Sequence, residues 1–428
     1  MRNQNGWYNF VIIALISLSF IGTNVHATNG YFSHGYGTQY KAMAGSGVAL
    51  SLSALAPATN PASNAFLGKR VDLGFALFNP NREYSVTGNP SGFPQTFPLT
   101  PGTIKSDSKY FIIPSVGANV SLPGGHNLGL AIYGNGGMNT NYDTKTFNSP
   151  LAPVTQPTGV DLTQLFVAGT YAREIVPNHA IGLSGIFAYQ RFKAEGLQAF
   201  GGFSADPAKL TNNDYSSSTG FGARIGYLGH ILPILSIGAS YQTKMSMSAL
   251  DDYAGLFAEQ GNFDIPATWT AGVAVKATPI LTVALDVQQI LYSQVKSIHN
   301  PMLPNLQNSL LGDDNGAGFG WKDMTVVKVG AQLKPMPGLA LRAGYSQGKQ
   351  PIPDSEVMFN ILAPGVIEQH ATFGFSKALM PMLQLNFAFM YAFSNTVSGA
   401  NPLEAPNQQT IELKMNQIEA ELGLSFSL

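Results

Sequence analysis

LQLNFAFMYAF, residues 383–393, alternates with a period of two. Leu383, Leu385, Phe387, Phe389, Tyr391 and Phe393 fall on one face, and Gln384, Asn386, Ala388, Met390 and Ala392 fall on the other. Successive side chains of an extended chain point to opposite sides, so the stretch is a strand with one greasy face and one small or polar face. The rhythm returns at Leu281, Val283, Leu285 and Val287 against Thr282, Ala284, Asp286 and Gln288, and again at Val327, Val329, Ala331 and Leu333 against Lys328, Gly330, Gln332 and Lys334. So persistent an apolar face suits either the inner layer of a soluble sandwich or the outer wall of a membrane barrel.

Three features favour the barrel. Connections alternate in length: short turns such as Pro123-Gly124-Gly125-His126, Val176-Pro177-Asn178-His179 and Pro335-Met336-Pro337-Gly338 separate long Gly-, Pro-, Asn- and Ser-rich loops at 138–160, 197–218 and 296–320. Tyr189, Tyr227, Tyr241, Trp269, Tyr345 and Tyr391 lie toward strand ends, where interfacial girdles sit. The strand segments, near 70–80, 109–121, 127–137, 161–175, 180–195, 217–231, 235–249, 264–278, 281–295, 322–334, 339–350, 366–379, 383–397 and 411–428, number fourteen. An even count lets the first and last pair antiparallel, and closure satisfies every backbone group against lipid. Residues 69–428 are therefore predicted to form an all-β, 14-stranded antiparallel transmembrane barrel.

Composition agrees. Charged residues make up 11% of the chain, less than half the usual ~25%. The net charge of −1 supplies no field for nucleic acid, and the absence of cysteine is compatible with an oxidising compartment. Residues 1–27 read as an export signal: Arg2, an apolar run at 7–21, and a small-x-small site at Val25-His26-Ala27. That run is shorter than the ~20 residues of a spanning helix.

Residues 28–66 do not fit the wall. They hold five glycines and one charged side chain, Lys41, with a short helix expected in 42–55 and a turn at Asn60-Pro61-Ala62. Preceding the first strand, residues 28–68 are expected to fold into the lumen as a partly helical plug. Two strands also break rhythm. In the last, Ile411, Leu413 and Met415 are odd but Ile418, Ala420, Leu422 and Leu424 are even, which predicts a bulge near Asn416-Gln417. In the third, Gly134-Asn135-Gly136-Gly137 marks a bulge, bend or close approach, or else a loop that starts early.

Asn29-Gly30-Tyr31-Phe32, Gly35-Tyr36-Gly37, Met43-Ala44-Gly45-Ser46-Gly47-Val48-Ala49 and Asn60-Pro61-Ala62 together resemble the N-terminal signature of the FadL-type outer-membrane transporters of long-chain fatty acids and aromatic hydrocarbons. Ile265-Pro266-Ala267-Thr268-Trp269, Trp321-Lys322-Asp323 and Leu341-Arg342-Ala343-Gly344-Tyr345 extend the resemblance downstream. It implies a hatch inside the barrel, a hydrophobic groove among outer loops, an inner pocket, and a kinked third strand that opens the wall sideways. It makes Gly136 and Gly137 the kink candidates and Asn60, Pro61 and Ala62 the hatch turn facing them. The expected function is passive uptake of a fatty acid or hydrocarbon by a monomer in the outer membrane of a Gram-negative bacterium, with lateral release into lipid.

An apolar substrate needs greasy surface, which nominates Leu197, Phe200, Phe203, Leu256 and Phe257 for the groove. On the lumen phase, Phe78, Ile186 and Leu228 are pocket candidates, and Arg342, Lys328, Arg224 and Lys244 are cations that could meet a carboxylate or hold the hatch, with Asp286 and Glu412 as available partners. No catalytic motif, metal-ligand spacing or cofactor signature appears. A general aqueous porin and a non-transporting surface barrel are the alternatives.

Overall fold

The computed structural model describes residues 29–149 and 153–428; the predicted export signal lies outside them. The wall consists of β1 Arg70–Thr87, β2 Phe111–Leu122, β3 His126–Asn141, β4 Gly159–Val176, β5 His179–Glu195, β6 Ser216–Leu232, β7 Leu235–Gln242, β8 Thr268–Lys276, β9 Leu281–Ile290, β10 Met324–Met336, β11 Leu339–Gly348, β12 Gln369–Met380, β13 Leu383–Ala400 and β14 Thr410–Ser427. Each strand pairs antiparallel with its sequence neighbour, and β14 returns to β1, which closes a 14-stranded barrel. Two short strands, Gly102–Lys105 and Ser246–Met247, lie beside β1 and β6 without joining the circuit.

Lipid-facing side chains read as the alternation predicts. On β1, Phe75 and Leu77 are exposed while Ala76 and Phe78 are buried. Tyr189, Tyr241, Trp269, Tyr345 and Tyr391 all lie on the outer face toward the long-loop side, and Tyr227 lies toward the short turns, where its hydroxyl meets His179 Nδ1 at 2.6 Å.

The β1–β14 seam runs from Arg70 opposite Ser427 to Thr87 opposite Thr410 without a shift, so the bulge expected at Asn416-Gln417 is absent. Odd residues of β14 face inward throughout: Ile411, Leu413 and Met415 near the outer end, then Gln417, Glu419 and Glu421. What changes is the lumen lining, apolar above and polar below, and the outer face changes oppositely, from Lys414 and Asn416 to Ile418 and Leu422. The register shift falls in β13 instead, between Ala392 and Asn395.

The N-terminal segment fills the lower lumen. Only one α-helical turn forms, Thr38–Lys41, followed by 3-10 turns at Ala56–Ala58 and Pro61–Phe66. The helix expected in 42–55 does not form, because wall carboxylates take over the helix acceptors' work. Asp286 Oδ2 accepts the N–H groups of Gly47 (2.7 Å) and Val48 (2.9 Å), and Asp72 Oδ2 accepts that of Ala54 (2.6 Å). The wall is paved with glycine where the segment's backbone touches it: a Cβ on Gly182 or Gly344 would lie 2.3 Å from Pro61 or Met43 backbone. Among the described residues, no helix is long and apolar enough to cross a membrane.

Candidate functional site: an apolar chamber beside a gap in the wall

β2 and β3 pair only from Leu122/His126 up to Val116/Ile132. Above that point β2 still pairs with β1, through Phe111 opposite Phe78, and β3 still pairs with β4, but the two share no ladder bonds. The segment just before β2 is tied to β3 again by a bridge between Ser106 and Tyr142, by Asp107 N–H donating to the Asn141 carbonyl at 2.8 Å, and by Asn141 N–H donating to Ser106 Oγ at 3.1 Å. A gap in the wall lies between these limits.

The kink in β3 is a one-residue bulge at Asn135, between Gly134 and Gly136. The strand bends inward and takes the N-terminal segment as its partner. Phe32 bridges Gly136, Ser33 N–H donates to the Asn135 carbonyl (3.0 Å), and Gly137 N–H donates to the Tyr31 carbonyl (3.1 Å). The Asn135 side chain is pinned from both sides, accepting from Tyr36 Oη (2.8 Å) and donating to Gln164 Oε1 (2.9 Å).

Two cavities flank the kink. One, of about 20 Å3, lies between the N-terminal segment and the gap, lined by Tyr36, Lys41, Ile113, Tyr133, Gly134 and Glu421. Another of about 20 Å3 is lined by Gly137, Met138, Trp321, Met415 and Arg82. Their floor is aromatic: the Tyr31 ring stands 5.0 Å from Phe32, 5.5 Å from Tyr292 and 6.0 Å from Trp321. The loop at 349–368 closes the chamber above β3, its Ile361 and Leu362 carbonyls accepting from Tyr142 Oη (2.7 Å) and Thr140 Oγ1 (2.8 Å).

Arg82 is the cation of the upper cavity. It is 5% exposed, donates to the Ser108 carbonyl, and lies 5.8 Å over the Phe111 ring. Its Nε has no hydrogen-bond partner, and it makes no ion pair, among the described residues. Below the floor the charges are occupied. Lys41 Nζ sits 2.8 Å from Glu419 and 2.7 Å from Glu421, Lys328 donates to the His34 carbonyl (2.9 Å), and Arg224 donates to the Pro57 carbonyl (2.8 Å). Burial, with Lys41 and Lys328 adding to it, pushes the His34 imidazole well below its usual range, so it is neutral at pH 7.

The sequence matches the family of outer membrane protein transport proteins (OMPP1/FadL/TodX) over residues 25–421. The chain belongs to that family. Members of the OMPP1/FadL/TodX family are outer-membrane transport channels for hydrophobic compounds, which places this one in the Gram-negative outer membrane. Its fold is similar to that of the Pseudomonas putida toluene transporter TodX (TM-score 0.67, 17% identity, covering 92% of this chain and 99% of that one). It is likewise similar to a Pseudomonas aeruginosa FadL homologue (TM-score 0.68, 15% identity, 93% and 99%) and to the Ralstonia pickettii toluene transporter TbuX (TM-score 0.62, 17% identity, 92% and 99%). No curated protein matches the chain.

Within this OMPP1/FadL/TodX barrel, the residues expected at the site are only partly brought together. Gly136 and Gly137 lie at the kink, and Phe78 and Ile186 join the apolar cluster that lines the chamber. Leu228 belongs instead to a lower cluster with Met43 and Ala62, and Arg342 holds Gln332 Oε1 (2.9 Å) and Ser376 Oγ (2.5 Å) near the short turns. Alternation reveals the face of a residue but not its height, and the N-terminal segment separates these two from the chamber.

Asn60, Pro61 and Ala62 do not face the kink. Asn60 Nδ2 donates to the carbonyls of Val48 and Tyr227 (both 2.8 Å), and the turn rests on Gly182 and Gly226, so Tyr31, Phe32 and Ser33 are the residues that meet β3. Nor is there an open groove at Leu197, Phe200 and Phe257, which are buried. Phe200 packs on Phe97 (5.6 Å), Phe147 (5.2 Å) and Phe359 (5.4 Å), joining four loops, because apolar loops cover one another more cheaply than they face water. Phe203 is exposed and Leu256 half-buried at the edge of this cap. Lys244 pairs with Asp264 (2.8 Å), and Glu412 lies on the outer face beside Ser398. Arg82 escaped the sequence reading, because the first strand is expected there to stop near residue 80 and it runs to Thr87; Asn135 and Trp321 fall within quoted motifs but carry no site role there.

Proposed function

We propose that this protein takes up hydrophobic molecules through the chamber and releases them sideways into the bilayer, with the N-terminal segment acting as a hatch. The gap between β2 and β3 carries this reading, because it joins an apolar chamber to the lipid-facing belt at Phe75, Leu77 and Ile112. The axial route would take an apolar molecule past Glu419, Lys328 and Arg224, where it forfeits hydrophobic contact worth roughly 25 cal/mol per Å2. Capture begins at Phe203 and Leu256 on the edge of the loop cap. Gly136 and Gly137 form the moving side of the gate, since few backbone bonds hold Tyr31 to Ser33 against them. Asn60, Pro61 and Ala62 anchor the hatch. In planar bilayers the protein should give no large, steady conductance; such a conductance would establish the porin reading instead.

A long-chain fatty acid is the substrate favoured by Arg82, because the other cation of the chamber lining, Lys41, is already paired with Glu419 and Glu421, whereas Arg82 makes no ion pair among the described residues. An uncharged aromatic hydrocarbon is the second reading, supported by the toluene transporters of similar fold. Arg82→Leu should raise the oleate concentration for half-maximal uptake by roughly tenfold to hundredfold, the worth of a charge-assisted hydrogen bond, while toluene uptake stays near wild type. Equal change for both substrates would remove the head-group role.

A further inference from the structure

A second charged hollow lies outside the barrel, at the upper corner of the gap. It is an open hollow of about 310 Å3 lined by Lys105, Lys109 and Lys414, with Arg82 at its base and Glu83 as the lining carboxylate. Glu83 stands opposite both Lys105 and Lys414 in the strand register and is shared between them at 3.8 and 3.0 Å. Lys109 has only Asp107, at 3.5 Å. Four cations therefore meet two carboxylates, Glu83 and Asp107, and one of the four is the buried Arg82, whose Nε has no partner among the described residues. Excess positive charge on a wall needs an anion.

Its height identifies the anion. Outward residues change from Leu77 and Ile418 to Asn81 and Asn416, and then to Glu83 and Lys414. From Ile418 to Lys414 is four residues, about 13 Å along a strand and about 9 Å in height at ~45° tilt. The polar headgroup layer begins there and has a similar depth. We infer that this hollow binds a phosphate group of an outer-leaflet glycolipid headgroup. A phosphate offers several acceptor oxygens and up to two negative charges, which suits three ammonium groups converging from two strands and a loop better than a single carboxylate does. Bound there, the lipid stands at the corner where β2 and β3 part.

The site rests on the chain's place in the outer membrane and does not depend on the transport reading. Lipid A, a phosphorylated diglucosamine lipid, is the probe, offered to the purified full chain in detergent beside its dephosphorylated form and read by native mass spectrometry. The Lys105→Gln/Lys109→Gln/Lys414→Gln variant leaves Arg82 and the chamber intact. It should lose about tenfold or more of the bound phosphorylated lipid, since each surface cation adds attraction to an anionic headgroup. The corresponding triple Lys→Arg variant should retain it. Equal retention by the Gln variant, or equal binding of the dephosphorylated lipid, overturns the site. Complete displacement by millimolar inorganic phosphate would show a free-anion site and overturn the lipid assignment.

Discussion

Deletion of Asn135 should lower uptake of labelled oleate by at least about tenfold while the barrel still folds, because it removes the bulge that parts β2 from β3. Asn135 is the extra residue between Gly134 and Gly136. Its loss removes one residue and one change of phase together, so Gly136, Met138 and Thr140 keep their inward side and their pairing with β4. It also removes the two side-chain bonds, to Tyr36 and Gln164, that draw the strand inward. β3 is then free to continue past Ile132 in the register already set against Val116, and the gap closes. Heat-modified gel migration reports whether the barrel forms. A folded deletion variant with wild-type uptake would eliminate sideways exit at this strand.

Lys41→Met should produce the second large effect. Lys41 is the charge between Glu419 and Glu421, and all three are buried. Removing one partner of such a group costs about 3–5 kcal/mol, because the carboxylates remain out of water without compensation. Water must then reach them, and the hatch must loosen to admit it. A steady ion conductance should appear in planar bilayers where the parent protein has none. Adding Glu419→Gln and Glu421→Gln should suppress that conductance, since the uncompensated charges are then gone. A silent Lys41→Met variant would mean that the hatch is held mainly by Asp286, Asp72 and the glycine contacts.

Burial alone would pull the Lys41 pKa down, but Glu419 and Glu421 outweigh it and hold the ammonium above its ordinary value. A cation whose pKa is raised on folding stabilises the fold below its unfolded pKa and loses that contribution only as pH rises through the folded value. This part of the hatch attachment is therefore constant from mildly acid to mildly alkaline conditions.

The wall was legible in the sequence because period-two alternation is a local property: residues 383–393 announce their lipid face without reference to any other strand. Turn chemistry announced the short connections equally well. Height was not legible, because it depends on where each strand begins and how far it projects. Leu228 and Arg342 share the lumen phase with Phe78, yet they lie below the hatch. The odd-to-even switch in β14 reads like a bulge in one dimension and is a change of surroundings in three, as an apolar chamber gives way to a polar hatch bed and water gives way to lipid. The partners of the kink were hidden for a related reason. Tyr31 meets Tyr292 and Trp321 across more than two hundred residues of chain, and Asn60-Pro61-Ala62 reveals its own turn but not which strand it rests on.

The charged lower lumen has a consequence for the cell's permeability barrier. With the N-terminal segment bonded to wall carboxylates and Lys41 locked between two glutamates, the proposed hatch should leave a hydrophilic antibiotic no water-filled path along the axis. The opening beside β3 faces lipid and offers such a molecule nothing to dissolve in. Many copies of this barrel can therefore be inserted without making the envelope leaky to polar drugs, a freedom that an open pore of the same strand number does not have.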